Sequence, residues 1–99
     1  MNTYIALVNF TSQGLQNIHD SPHRAVAFKK AAKKVGVKIR EIFWTLGAYD
    51  GVIIFEADSD KAATAAMLGL SGLGNVHTQT LRAFEMADFA AILEKTPRL

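Results

Sequence analysis

The stretch VKIREIFWTLGAYDGVIIFEA, Val37 to Ala57, reads as strand, turn, strand. Val37–Leu46 and Val52–Ala57 are rich in β-branched and aromatic residues, which suit the pleated surface of a sheet. Between them Gly47–Gly51 supplies Gly and Asp, residues that satisfy tight backbone bends. The pair is expected to form a hairpin with a connection of about five residues. Alternation places Val37, Ile39 and Phe43 on one face of the first strand and Ile42, Trp44 and Leu46 on the other. In the second strand Val52 and Ile54 oppose Ile53 and Phe55. Neither strand is apolar on one side only.

Working outward, Thr3–Phe10 reads as another strand, with Tyr4, Ala6, Val8 and Phe10 on one side and Ile5 and Leu7 on the other. Thr11–Asp20 is expected as a loop or short helical turn. Ser21 can cap a helix with Pro22 in its first position, where a missing N–H costs nothing. That helix should run to Val35 and stop at Gly36, a residue at ease in the left-handed region. Downstream of the hairpin, Asp58 or Ser59 begins a second helix whose packing face holds Ala62, Ala65, Ala66 and Gly69, small enough for close approach to a sheet. Gly69, Gly72 and Gly74 end it. Val76–Phe84 alternates as a fourth strand, and Ala87–Lys95 forms a short terminal helix closed by Pro97. The order is β-α-β-β-α-β-α, and its first six elements match a ferredoxin-like α+β unit.

A four-stranded sheet of this kind carries its helices on one face, so the other face of a monomer should be polar. Here both faces are apolar in three of the four strands. Exposing such a surface would exceed the few hundred Å² that soluble monomers tolerate. Stacking two sheets face to face removes it, so the expected assembly is a homodimer or a higher homo-oligomer.

Ninety-nine residues, 49% of them hydrophobic, suit one globular domain covering residues 1–99. There is no cysteine, which excludes disulfides and thiol catalysis. No apolar run approaches the ~20 residues of a membrane span, and the first residues lack the basic-then-apolar layout of a secretory signal. A cytoplasmic location is the expectation, with no membrane partner. The net charge is +2, yet Arg24, Lys29, Lys30, Lys33, Lys34, Lys38 and Arg40 cluster. At 100° per residue Lys29, Lys30, Lys33 and Lys34 share one side of a helix, opposite Ala25, Phe28, Ala31, Ala32 and Val35. That is a solvated face on an amphipathic helix, so no nucleic-acid partner is expected.

Several local signals together resemble one family. Thr11-Ser12-Gln13-Gly14 and Asp20-Ser21-Pro22-His23-Arg24 precede Leu46-Gly47-Ala48-Tyr49-Asp50. Leu73-Gly74-Asn75-Val76 then runs into Thr78-Gln79-Thr80-Leu81-Arg82-Ala83-Phe84. Their order and spacing are similar to the GYD-domain proteins, over roughly residues 3 to 94. The resemblance implies a dimeric α+β barrel and supplies no reaction. Where the family often reads Glu-Ala-Pro-Asp-Asp, this chain has Glu56-Ala57-Asp58-Ser59-Asp60, a departure that touches only the start of the second helix.

Polar side chains on otherwise apolar strands mark where a cavity can lie. On the fourth strand Thr78, Thr80 and Arg82 share one face, and His77 and Gln79 the other. Arg82 could hold a carboxylate bidentately with the threonines as donors, or serve only to pair with a strand-end carboxylate. Tyr49 could offer a hydroxyl at a pocket mouth, oriented by Asp50, although Asp and Gly at that point also suit a plain turn. His77 is a candidate proton carrier, and Trp44 a possible apolar wall. His19 and His23 are four apart, but Pro22 interrupts the helical register and no third ligand follows, so no metal is expected. Gly69-Leu70-Ser71-Gly72-Leu73-Gly74 follows a helix and precedes a strand, the wrong context for a dinucleotide fingerprint, and no cofactor is expected.

The function expected from the sequence is a binding protein for a small anionic or aromatic molecule, acting as an oligomer. The alternatives are a cofactor-free isomerase or monooxygenase, suggested by fold analogy alone, and an assembly protein with no ligand.

Overall fold

The computed structural model describes all 99 residues. The elements are β1 (Asn2–Phe10), α1 (Ser12–Gln16), a 3₁₀ turn (Ile18–Asp20), α2 (Ser21–Lys34), β2 (Lys38–Trp44), β3 (Gly51–Ala57), α3 (Asp60–Ser71), β4 (Val76–Ala83) and α4 (Met86–Glu94). One antiparallel sheet has the order β2-β3-β1-β4. This is the ferredoxin-like α+β arrangement expected, with α2 and α3 on one face. No helix is long and apolar enough to cross a membrane.

The core lies between that face and the two helices. Tyr4, Ala6 and Val8 of β1 and Ile53, Phe55 and Ala57 of β3 are buried, as are Phe28 and Ala32 of α2 and Ala63, Ala66 and Met67 of α3. The rings of Tyr4 and Phe55 stack with centroids 5.2 Å apart. Alternating strand residues thus supply one continuous apolar layer, and each helix closes part of it with a narrow stripe. The lysine side of α2 is exposed.

Helix ends follow their local chemistry, with one exception. Gly36 has φ +79°, and the Val37 N–H reaches the Ala32 carbonyl while the Gly36 N–H reaches that of Lys33, an arrangement that satisfies the last carbonyls of α2. The Ser59 hydroxyl caps α3 by accepting from the Ala62 N–H at 3.1 Å. Ser21 departs from expectation. It is already helical, with φ −54° and ψ −45°, and caps nothing. Its buried hydroxyl instead accepts a hydrogen bond from the Trp44 indole N–H at 3.0 Å, tying the start of α2 to the end of β2.

Two further expectations shift. Of the expected α3 face, Ala66 is buried in the core and Ala62 packs against it, joined by Ala63, Met67 and Leu70, whereas Ala65 and Gly69 are exposed and line the cleft between α2 and α3. In β2 the pairing runs Ile39 with Phe55 and then Glu41 with Ile54, leaving Arg40 as an extra residue. This bulge reverses the alternation beyond it. Ile39, Ile42 and Trp44 lie on the helix side, whereas Glu41 and Phe43 lie on the open side opposite Ile54 and Val52. The expected grouping of Ile39 with Phe43 is therefore wrong.

The open face carries Ile5, Leu7, Val52, Ile54, Phe43 and Leu81, none of them fully buried. Beyond β4 the chain enters α4, in which no residue is buried and Phe89, Ile92 and Leu93 remain largely exposed.

Candidate functional site

The seven residues singled out in the sequence occupy three places. Thr78, Thr80 and Arg82 lie on the helix side, opposite Val8, Ala6 and Tyr4 of β1. With Asp60 and Ser71 of α3 they line an open hollow. Several of its polar groups are already engaged. The Tyr4 hydroxyl donates to Asp60 Oδ1 at 2.5 Å, and the hydroxyls of Ser71 and Thr78 lie 3.3 Å apart. Burial raises the Tyr4 pKa above its ordinary value, and the bond to Asp60 pushes it in the same direction. Arg82 donates to the backbone carbonyls of Thr3 and Ala83, and its guanidinium lies 4.6 Å from the Phe84 ring centroid and 5.6 Å from that of Tyr4. No carboxylate pairs with it. The ion pair on the sheet joins Arg40 to Glu56 at 3.4 Å.

His77 and Tyr49 belong to the open face. His77 pairs with Asn9, and the Tyr49 hydroxyl reaches Gln79 Oε1 at 3.4 Å. They share no hollow with Arg82, as strand alternation requires.

Asp50 and Trp44 belong to a third place, a cleft of about 490 Å³ between α2 and α3 over the sheet. Asp50 continues the sheet at its end. Its N–H donates to the Val8 carbonyl at 2.8 Å, and its Oδ2 accepts from the Phe10 N–H at 2.8 Å. The Gly47-Ala48-Tyr49-Asp50 segment thus fastens the β2–β3 connection to the end of β1. The Thr45 N–H closes the loop on the Asp50 carbonyl at 2.9 Å, and Gly47 takes φ +129°.

The cleft also contains a residue that sequence reading passed over. Arg24 belongs by charge to the basic cluster, yet at 100° per residue it falls among Phe28, Ala31 and Val35, in the middle of the apolar stripe of α2. A lone cation at that position was the available signal. Arg24 lines the cleft. Its Nη1 donates to the Asn17 carbonyl at 2.8 Å, and its Nη2 is buried without a partner. The walls are apolar, formed by Ala31 and Val35 on one side and Ala65 and Gly69 on the other.

No three His, Asp or Glu side chains come together in a metal-binding group. His19 lies in the 3₁₀ turn and His23 in α2.

The loop before β4 is docked onto the loop after β1. Thr11 donates from its N–H to the Asn75 carbonyl at 3.0 Å and from its hydroxyl to the Gly74 carbonyl at 2.6 Å, while Gln13 Nε2 reaches Leu73 O and Asn75 Oδ1, each at 3.0 Å. The Thr11-Ser12-Gln13-Gly14 and Leu73-Gly74-Asn75 signals are two halves of one contact.

These local structures run through the part of the chain that known proteins share. A model of the GYD domain matches residues 4–93. A Thermus thermophilus protein named glutamine synthetase and cystathionine beta-lyase binding protein is 33% identical over 95 residues, covering 95% of this chain and 100% of its own. With its matched residues reaching from β1 into α4, and with Gly47, Tyr49 and Asp50 anchoring the central hairpin, the chain belongs to the GYD domain family.

Proposed function

We propose that this chain is a binding protein that acts as a face-to-face homodimer and docks onto partner enzymes. The open sheet face carries the proposal. Ile5, Leu7, Val52 and Ile54 form an apolar centre flanked by Phe43 and Leu81, which are 51% and 45% exposed. A second copy of the same face would cover it, with Tyr49, Gln79 and His77 at the polar margin. The relative named for binding glutamine synthetase and cystathionine beta-lyase supports protein partners as the outward role. In the dimer, the exposed apolar residues of α4 are the surface left to meet them.

Sedimentation of the wild type and of Ile54→Asp tests the assembly. The wild type should run as a dimer at micromolar concentration. The variant should run as a monomer, because a carboxylate at the centre of the apolar face would be buried without a partner. A wild-type monomer would sink the proposal. Pull-down with purified glutamine synthetase and cystathionine beta-lyase tests the outward role. Retention of neither enzyme would leave α4 without the partners proposed for it.

A small anionic or aromatic ligand is the second reading, favoured by the hollows on the helix side. Each offers an arginine, Arg82 beside a mixed polar lining in one and Arg24 beside apolar walls in the other.

A further inference from the structure

We propose that the cleft between α2 and α3 binds a small monocarboxylic acid with an apolar body, its carboxylate held by Arg24. This rests on the small-molecule reading and gives it a site and a ligand class.

The argument begins with an imbalance. Arg24 Nη1 donates to the Asn17 carbonyl, which fixes the plane of the guanidinium. Nη2 on the same plane is buried and meets no acceptor. A buried charged donor without a partner is costly, and an anion that reaches it through a small shift of the covering side chains removes that cost. Asp50 lines the same cleft, but its Oδ2 is held by the Phe10 N–H and it makes no ion pair with Arg24.

The other polar groups of the cleft also have donors to spare. Ser21 accepts from Trp44 and so keeps its own hydroxyl proton free to donate. Asn75 accepts from Gln13 through Oδ1 and keeps its amide N–H groups. Both residues line the cleft with Arg24. Arg24 and Asp50 leave the lining with no net charge, so Arg24 can meet one negative charge, and Asp50 repels a phosphate dianion more strongly than a monocarboxylate.

The remaining lining is aliphatic and aromatic, and about 490 Å³ accommodates a ring-sized body. An acid of this kind places its charge at Arg24 and its carbon skeleton between the helices. Free carboxylic acids and hydrophobic α-amino acids share this chemistry. They differ in an ammonium group, which the Asp50 carboxylate would attract.

Trp44 is the only tryptophan of the chain and lines the cleft, so its fluorescence reports occupancy. Titrations would use 3-phenylpropionate, its alcohol 3-phenylpropanol, and L-phenylalanine, on wild type and Arg24→Met. The wild type should bind 3-phenylpropionate saturably and at least about tenfold more tightly than the alcohol. In Arg24→Met that preference should disappear. L-phenylalanine binding more tightly than 3-phenylpropionate would identify amino acids as the source, and weaker binding would identify free acids.

Equal affinity of the wild type for acid and alcohol would overturn the proposal without any variant. So would an Arg24→Met protein that keeps the preference. If the preference is kept there but lost in Arg82→Ala, the site is the other hollow and small-molecule binding survives. If none of the three compounds binds saturably to the wild type, the site proposal fails.

Discussion

Replacing Gly14 by alanine adds one methyl group at the tightest approach made by any glycine of the chain. An ideal Cβ at Gly14 would lie 2.0 Å from the Asn75 carbonyl oxygen and 3.0 Å from its carbon. Ordinary contact begins near 3.4 Å, so α1 must retreat from the loop before β4 by about 1.4 Å. Both sides of the clash are backbone, and no rotamer change relieves it. The same retreat stretches the bonds from the Thr11 N–H to Asn75 at 3.0 Å and from the Thr11 hydroxyl to Gly74 at 2.6 Å beyond useful length. Overpacking of this kind costs about 1–3 kcal/mol, and each lost bond about 1 kcal/mol, so the expected loss is about 3–5 kcal/mol. If α1 detaches instead, the bonds are still lost and the cost stays above about 2 kcal/mol. Against a stability on the order of 5–15 kcal/mol, this is a large fraction. Urea denaturation followed by circular dichroism, at one fixed protein concentration, measures it. Gly69→Ala is the control, because a Cβ there meets nothing within 4 Å and a helical alanine should gain up to about 1 kcal/mol. A Gly14→Ala protein within about 1 kcal/mol of wild type would refute the reasoning, and with it the view that this glycine exists for close approach.

Two smaller perturbations probe other parts of the helix side. Ser59→Ala removes the acceptor for the Ala62 N–H and should cost about 1 kcal/mol in the same urea assay, whereas Ser59→Asp should restore most of it. Tyr4→Phe removes the buried phenol whose folded-state pKa lies above its unfolded value near 10. The unfolded chain loses that proton first, so wild-type stability should fall as pH rises from about 10 toward the folded pKa. Urea midpoints between pH 9 and 11 should therefore drop more steeply in wild type than in Tyr4→Phe. Parallel slopes would remove Tyr4 from the account of alkaline instability.

Most of the fold was legible because its signals are local. Period-two apolar runs mark four strands, Gly36 marks the end of α2, and Ser59 marks the start of α3. The bulge at Arg40 was not legible. Its sequence alternates as plausibly without an extra residue, and only pairing with β3 exposes the shift. Ser21 has the chemistry of a cap, but its hydroxyl is drawn to an indole that is 23 residues away in sequence. Asp50 was visible as a turn residue, while its grip on the Phe10 N–H depends on β1 lying alongside. Thr78, Thr80 and Arg82 were correctly placed on one face, since alternation alone decides that. Arg24 was hidden by its neighbours. Charge counting groups it with the lysines, whereas its angular position groups it with Phe28.

The spare residue in β2 makes the outer half of that strand independent of the chain length before it. Were Arg40 deleted, Ile39 would still oppose Phe55, and Glu41, Ile42, Phe43 and Trp44 would keep Ile54, Ile53, Val52 and Gly51 as partners in an unbroken ladder. The loss of one codon would remove the kink and the ion pair to Glu56, and leave both faces of the strand as they are. Straightening the strand with Arg40 retained is the opposite case. It would slip the outer half by one residue, turning Ile42 and Trp44 outward and Phe43 beneath α2. Among related chains, a single gap at this position therefore keeps the partner-facing surface, whereas an equal length without the bulge exchanges it.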